Sequence, residues 1–126
     1  MSYEALRDAG TAPKLALTFH GTGADASQLH GVARTFLPET HIVSPQGDVD
    51  ENGAARFFRR TGEGVYDMED LAVRVAAMAE FVRGEVERTG AVHVTGLGYS
   101  NGANILAATA MAHPDLFDTM VLMHPL

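Results

Sequence analysis

Four short apolar runs punctuate this sequence, at residues 15–20 (LALTFH), 41–46 (HIVSPQ), 92–97 (VHVTGL) and 120–124 (MVLMH), with helical patterns between them. Each run is bounded by Gly or Pro, or by the end of a helical stretch. Strands that alternate with helices predict an α/β chain: a three-layer α/β/α sandwich around a mainly parallel sheet. Continuous apolarity in the runs predicts strands buried on both faces. The 126 residues are enough for one core of this kind, so a single domain over 1–126 is expected.

The intervening patterns are unequal. Leu29, Val32, Ala33 and Phe36 fall at helical spacing and predict a helix over 25–36, stopped by Pro38. A longer helix starts at Asp67 as N-cap, carries the apolar stripe Leu71, Val75, Met78, Val82 and Val86, and stops at Gly90. Residues 101–112 (NGANILAATAMA) carry no charge at all, which predicts a helix buried nearly all round, ending before Pro114. Between the second run and the long helix, residues 47–66 read as a glycine-rich connection on the side of the sheet where such folds keep functional loops, hence as a pocket wall.

The sharpest motif is Gly98-Tyr99-Ser100-Asn101-Gly102, a G-x-S-x-G sequence between the third run and the uncharged helix. A turn from strand to helix this tight leaves no room for side chains two residues before and after the serine, which accounts for both glycines. Ser100 is thereby presented at the top of the sheet, at a helix N-terminus that favours developing negative charge. His20-Gly21-Thr22-Gly23 follows the first run, where a second backbone donor is needed. The N–H groups of Thr22 and Asn101 are expected to converge on one carbonyl oxygen, with His20 ordering the turn rather than acting as a base. The same stretch, Gly21-Thr22-Gly23-Ala24-Asp25-Ala26, also fits a dinucleotide fingerprint, with Asp48 as the ribose-binding acid. Ser100 in its glycine-flanked turn argues against that reading.

Arg56-Phe57-Phe58-Arg59-Arg60 sets aromatic rings beside guanidinium groups in the long connection. Phe57, Phe58, Arg59 and Arg60, with Tyr99, are candidates for an acyl pocket or an anion contact; a loop anchored by two phenylalanines with solvated arginines is the plainer alternative. Sixteen acidic against nine basic residues give a net charge of -7, which disfavours nucleic acid and points to a small-molecule partner. Zero cysteines exclude disulfides and a thiol nucleophile. The histidines show no metal-ligand spacing, so no metal is expected, and His30, His41, His93 and His113 are read as incidental. No export signal and no apolar run near membrane-spanning length are visible, so a cytoplasmic location and no membrane span are expected.

Taken together, FHGTGAD, SPQGDVDENGAARFFRR, EGVYDMEDL, GLGYSNGAN and HPDLFDTMVLMHPL make the chain from Leu15 onward similar to the phospholipase/carboxylesterase family of α/β-hydrolases, which includes the acyl-protein thioesterases. The resemblance implies a cofactor-free serine esterase acting on a small-molecule ester, with Ser100 as nucleophile and Thr22 and Asn101 as oxyanion donors. In the family the triad acid and histidine follow the strand equivalent to 120–124. They are therefore expected outside this segment, making it an incomplete α/β-hydrolase fold, inactive or weakly active alone. His124 is the one in-chain substitute base. The strand at 120–124 would present an open, uncharged edge, through which a second copy or a complementing chain is expected to pair. A catalytically incomplete relative that only binds is the competing expectation.

Overall fold

The computed structural model describes residues 3–62 and 65–125. Glu63 and Gly64 of the expected helix-start motif, and Leu126 of the closing motif, lie outside the described residues. In chain order the elements are β1 (Ala5–Asp8), β2 (Lys14–Phe19), α1 (His30–Phe36), β3 (His41–Pro45), β4 (Val49–Glu51), β5 (Ala54–Arg56), β6 (Arg60–Gly62), β7 (Val65–Tyr66), α2 (Met68–Thr89), β8 (His93–Tyr99), α3 (Asn101–Ala112) and β9 (Thr119–Met123).

Five strands form the central sheet in the order β1-β3-β2-β8-β9, parallel except for β1, which runs antiparallel to β3. Residue alternation along the strands sorts the core into two layers. Leu15, Leu17, Phe19, Val43 and Val94 face α2 and α3, where Leu71, Met78, Phe81, Val82, Ile105 and Leu106 close over them. Ala16 and Ile42 face the other way and pack on Ala33 of α1. This is the α/β sandwich that the alternation of runs predicts, with each expected strand within two residues of its place.

The path of the chain decides where a site can form. From β2 it steps outward through α1 to β3, then returns through α2 to β8 on the opposite side of β2. The C-terminal ends of β2 and β8 therefore lie side by side where the winding reverses, with Phe19 paired to Gly98. A parallel sheet opens a crevice for ligands at such a reversal.

Helix α2 follows its sequence signals closely. The Asp67 carboxylate accepts from the Asp70 N–H at 3.0 Å, satisfying one of the free donors of the first turn, a cap worth about 1 kcal/mol. Gly90 ends the helix in the left-handed region at φ 66, where a side chain would strain the backbone. Among the described residues no helix is long and apolar enough to cross a membrane.

Several expectations need correction. Helix α1 begins only at His30, because residues 21–29 form turns held by local bonds, such as Gln28 N–H to the Asp25 carbonyl. Only half of its stripe is buried: Leu29 and Ala33 are inside, while Phe36 is 76% exposed and Val32 is exposed. Residues 47–66 are not a simple loop but carry two short antiparallel ribbons, β4–β5 and β6–β7. Asn52 and Gly53, at φ 52 and 89, supply the two-residue turn of the first. Helix α3 is buried over Asn101–Leu106 and again at Thr109, but Met111 near its end is 81% exposed. Finally, β8 is buried mainly on one face and β9 is largely exposed, because α1 packs over β2 and β3 and does not extend across this half of the sheet.

Candidate active site

Ser100 occupies the N-cap of α3 at φ 54, ψ -116, a conformation that an L-residue adopts only under constraint. The constraint is visible in the two glycines. A Cβ on Gly98 would stand 2.7 Å from Ala103 Cα, and one on Gly102 would overlap the Phe19 carbonyl and stand 2.5 Å from His20 O. The first turn of α3 thus crosses directly over the end of β2. The Ser100 N–H is held by the Met123 carbonyl at 2.8 Å, and its hydroxyl makes no capping bond. Ser100 is half-buried at the C-terminal end of β8.

The turn after β2 is built against this strand end. A Cβ on Gly21 would meet the Tyr99 ring at 2.9 Å, so the glycine allows the two loops to close together. The Gly21 N–H donates to Gln28 Oε1 at 2.8 Å, and Gly23, at φ 82, donates to the Ala55 carbonyl at 3.1 Å. Among the described residues the N–H groups of Thr22 and Asn101 have no partner. They are the two amides expected to form the oxyanion hole, one from each loop.

His20 is 2% exposed and both its nitrogens are committed. Nε2 accepts the Gly47 N–H at 2.9 Å, which requires Nδ1 to carry the proton it gives to the Gly21 carbonyl at 2.8 Å. Burial pushes its pKa below the usual value, only partly opposed by the Gly21 bond and by Asp25. A histidine neutral in the fold and protonated in the unfolded chain contributes stability that is present above about pH 6.5 and is lost as pH falls toward its folded pKa. Denaturant titrations at pH 7.5 and 5.5 should show this loss, at most about 1.4 kcal/mol per pH unit. In His20→Asn that component of the pH dependence should vanish; equal slopes in both proteins would contradict the assignment.

The other expected residues are placed less centrally. Phe57 and Phe58 are wholly buried, Phe57 against Phe19 and His20 and Phe58 against Tyr66, so they belong to the core rather than to the wall of an open pocket. Arg60 pairs with Glu51 at 2.6 Å. Arg59 is exposed, with its N–H on Asp70 Oδ2 at 2.7 Å. Tyr99 lies at the surface with its ring edge-on to that of His124, centroids 5.5 Å apart. His124 is exposed, and among the described residues no hydrogen bond joins it to Ser100. The dinucleotide reading fails on the same terms: Gly21 to Ala26 lead into turns and not into a helix N-terminus, and the Asp48 carboxylate is engaged by Arg74 at 3.2 Å.

Sequence reasoning misses the roles of Arg56 and of the Asn101 side chain. Arg56 is 4% exposed, and donates to Thr22 Oγ1 at 2.8 Å and to the Phe58 carbonyl at 2.7 Å. Asn101 Oδ1 accepts the Phe57 N–H at 2.7 Å. Nothing in the local sequence distinguishes Arg56 from the two arginines that follow it; its Thr22 acceptor comes from a loop 34 positions away.

No protein-family model matches the chain. Among individual proteins, it is 37% identical over 119 residues to MhqD of Bacillus subtilis, whose name provisionally assigns it to the hydrolases; the alignment covers 93% of this chain and 60% of MhqD. A crystal structure of the Agrobacterium tumefaciens protein Atu2452, described as of unknown function, superposes with a TM-score of 0.94 at 51% identity, covering 98% of this chain and 61% of that one. The Bacillus cereus carboxylesterase superposes at 0.92 with 33% identity, covering 98% and 60%. The chain thus spans about 60% of the length of these relatives.

Proposed function

This chain carries part of the α/β-hydrolase fold in the form found in carboxylesterases and phospholipase/carboxylesterases, and from that premise we propose that the native polypeptide hydrolyses carboxylic esters through an acyl-Ser100 intermediate. The observation that carries the reading is the constrained backbone of Ser100, whose hydroxyl makes no capping bond, at the reversal of the sheet where the Thr22 and Asn101 amides have no partner among the described residues. Strain of this kind persists only where the surroundings enforce it, and it gathers at reactive positions.

In the proposed reaction Ser100 Oγ attacks the ester carbonyl carbon while its proton passes to a histidine base. The oxygen of the tetrahedral adduct takes up the negative charge and accepts from the Thr22 and Asn101 N–H groups. The C–O bond to the leaving group then breaks, the base returns the proton to the departing alcohol, and water repeats the sequence on the acyl-Ser100 ester. We assign the base and its acid partner to the part of the fold that would continue from β9, whose outer edge has no strand beside it among the described residues.

Incubating the native polypeptide with p-nitrophenyl acetate and p-nitrophenyl butyrate tests this. Turnover well above the buffer rate, with a transient mass gain of one acyl group on the protein, is expected. An absence of both would leave the second reading, a non-catalytic binding relative. That reading draws its support from the lack of any base hydrogen-bonded to Ser100 among the described residues.

A further inference from the structure

Three consecutive residues, Ala55 to Phe57, each hold one part of the candidate oxyanion site. The Ala55 carbonyl receives the Gly23 N–H at 3.1 Å, the Arg56 guanidinium donates to Thr22 Oγ1 at 2.8 Å, and the Phe57 N–H donates to Asn101 Oδ1 at 2.7 Å. The first two contacts fix the loop after β2; the third fixes the residue after Ser100. Among the described residues, the Arg56 bond is the one that anchors the Thr22 side chain. The segment is itself rigid: Arg56 is almost fully buried, its Nε donates to the Phe58 carbonyl at 2.7 Å, and its guanidinium lies 5.5 Å over the Phe58 ring. It also abuts the bond that orders His20, since a Cβ on Gly47 would stand 2.6 Å from the Arg56 carbonyl.

Resting on the serine-hydrolase reading above, we infer that residues 55–57 set the separation of the two oxyanion amides, and that Arg56 is a positioning residue acting through the Thr22 hydroxyl. Two donors stabilise one developing charge only if both point at the place it will occupy, and an error of a few tenths of an ångström to about 1 Å is felt in the transition state more than in substrate binding. A buried guanidinium suits this task because its planar fork fixes two acceptors at once, which a lysine ammonium does not. The Thr22 side chain therefore matters in its own right, as the handle by which its amide is held.

The test uses the native polypeptide with four variants, Thr22→Val, Thr22→Ser, Arg56→Lys and the Thr22→Val/Arg56→Lys double, reading kcat and KM on p-nitrophenyl acetate beside thermal stability. Thr22→Val keeps the shape and removes the acceptor; kcat should fall about tenfold with KM nearly unchanged. Thr22→Ser restores the acceptor and should recover most of the rate. Adding Arg56→Lys to Thr22→Val should cost little more than the worse single change, since both cut the same link. A Thr22→Val protein with wild-type kcat, equal losses in the Val and Ser variants, or losses that multiply in the double variant would overturn the inference. Should the wild-type polypeptide itself neither turn over the ester nor take up an acyl group, the serine-hydrolase reading falls, and the inference with it. An active wild type with an equally active Thr22→Val removes only the inference.

Discussion

Ser100→Ala in the native polypeptide should lower ester turnover on the order of 10⁶-fold in kcat, because the nucleophile of a triad acts as a unit with its base. Ser100→Gly should lose as much activity yet fold more stably than the alanine variant, by about 1 kcal/mol. The reason is the backbone: φ 54, ψ -116 costs an L-residue of order 1–3 kcal/mol, and glycine does not incur that cost. Glycine's own chain entropy offsets part of the gain. The pair separates chemistry from strain, since both variants lack the hydroxyl and only one retains the Cβ. Steady-state kinetics and denaturant unfolding of the two variants decide it. Residual turnover above about 1% in either, against the 10⁶-fold loss expected, or an alanine variant more stable than the glycine one, would count against the role and the strain respectively.

Gly102→Ala should unfold the protein or reduce its stability by about 4 kcal/mol or more. The added methyl would overlap the Phe19 carbonyl and stand 2.5 Å from that of His20. Both neighbours are backbone at the end of a buried strand, with no rotamer by which to yield. To make room, α3 would have to lift off β2, which would also move Ser100 and the Asn101 amide. Gly84 provides the contrast. It lies inside α2 with nothing within 4 Å of the place a methyl would take, so Gly84→Ala should stabilise the helix by about 0.5–1 kcal/mol. Soluble expression with chemical denaturation of the two variants should therefore give opposite signs. A folded Gly102→Ala protein of near-normal stability would mean that the strand-to-helix turn is far more compliant than its geometry implies.

What the sequence discloses and what it hides follow a physical division. The long helix is legible because its caps are local: Asp67 bonds three residues ahead, and Gly90 is needed for its own φ. The Ser100 turn is legible because its two glycines stand at fixed offsets from the serine, the spacing that a strand-to-helix turn this tight demands. The ribbons within residues 47–66 are hidden although Asn52-Gly53 is a hairpin dipeptide, because three-residue strands of mixed polarity leave no alternation around it. Helix α1 is shorter than its pattern because apolar spacing alone cannot tell that residues 21–29 close on themselves in turns, nor that Phe36 at its end points to solvent. The burial of Phe57 and Arg56 depends largely on partners far away in the sequence, on β2, in the turn after it and at the start of α3, while Phe58 packs on Tyr66. Only the folded chain brings these together, so residues expected to line an open pocket are instead buried next to the candidate site.

A fluorophosphonate probe, followed by digestion and mass mapping of the labelled peptide, tests the central claim most directly. It bonds covalently only to a serine whose hydroxyl is activated and whose adduct oxygen finds donors. One adduct per native polypeptide is expected, carried by the peptide that contains Ser100 and absent from Ser100→Ala. No adduct on a folded native polypeptide, or an adduct on any other serine, would contradict it.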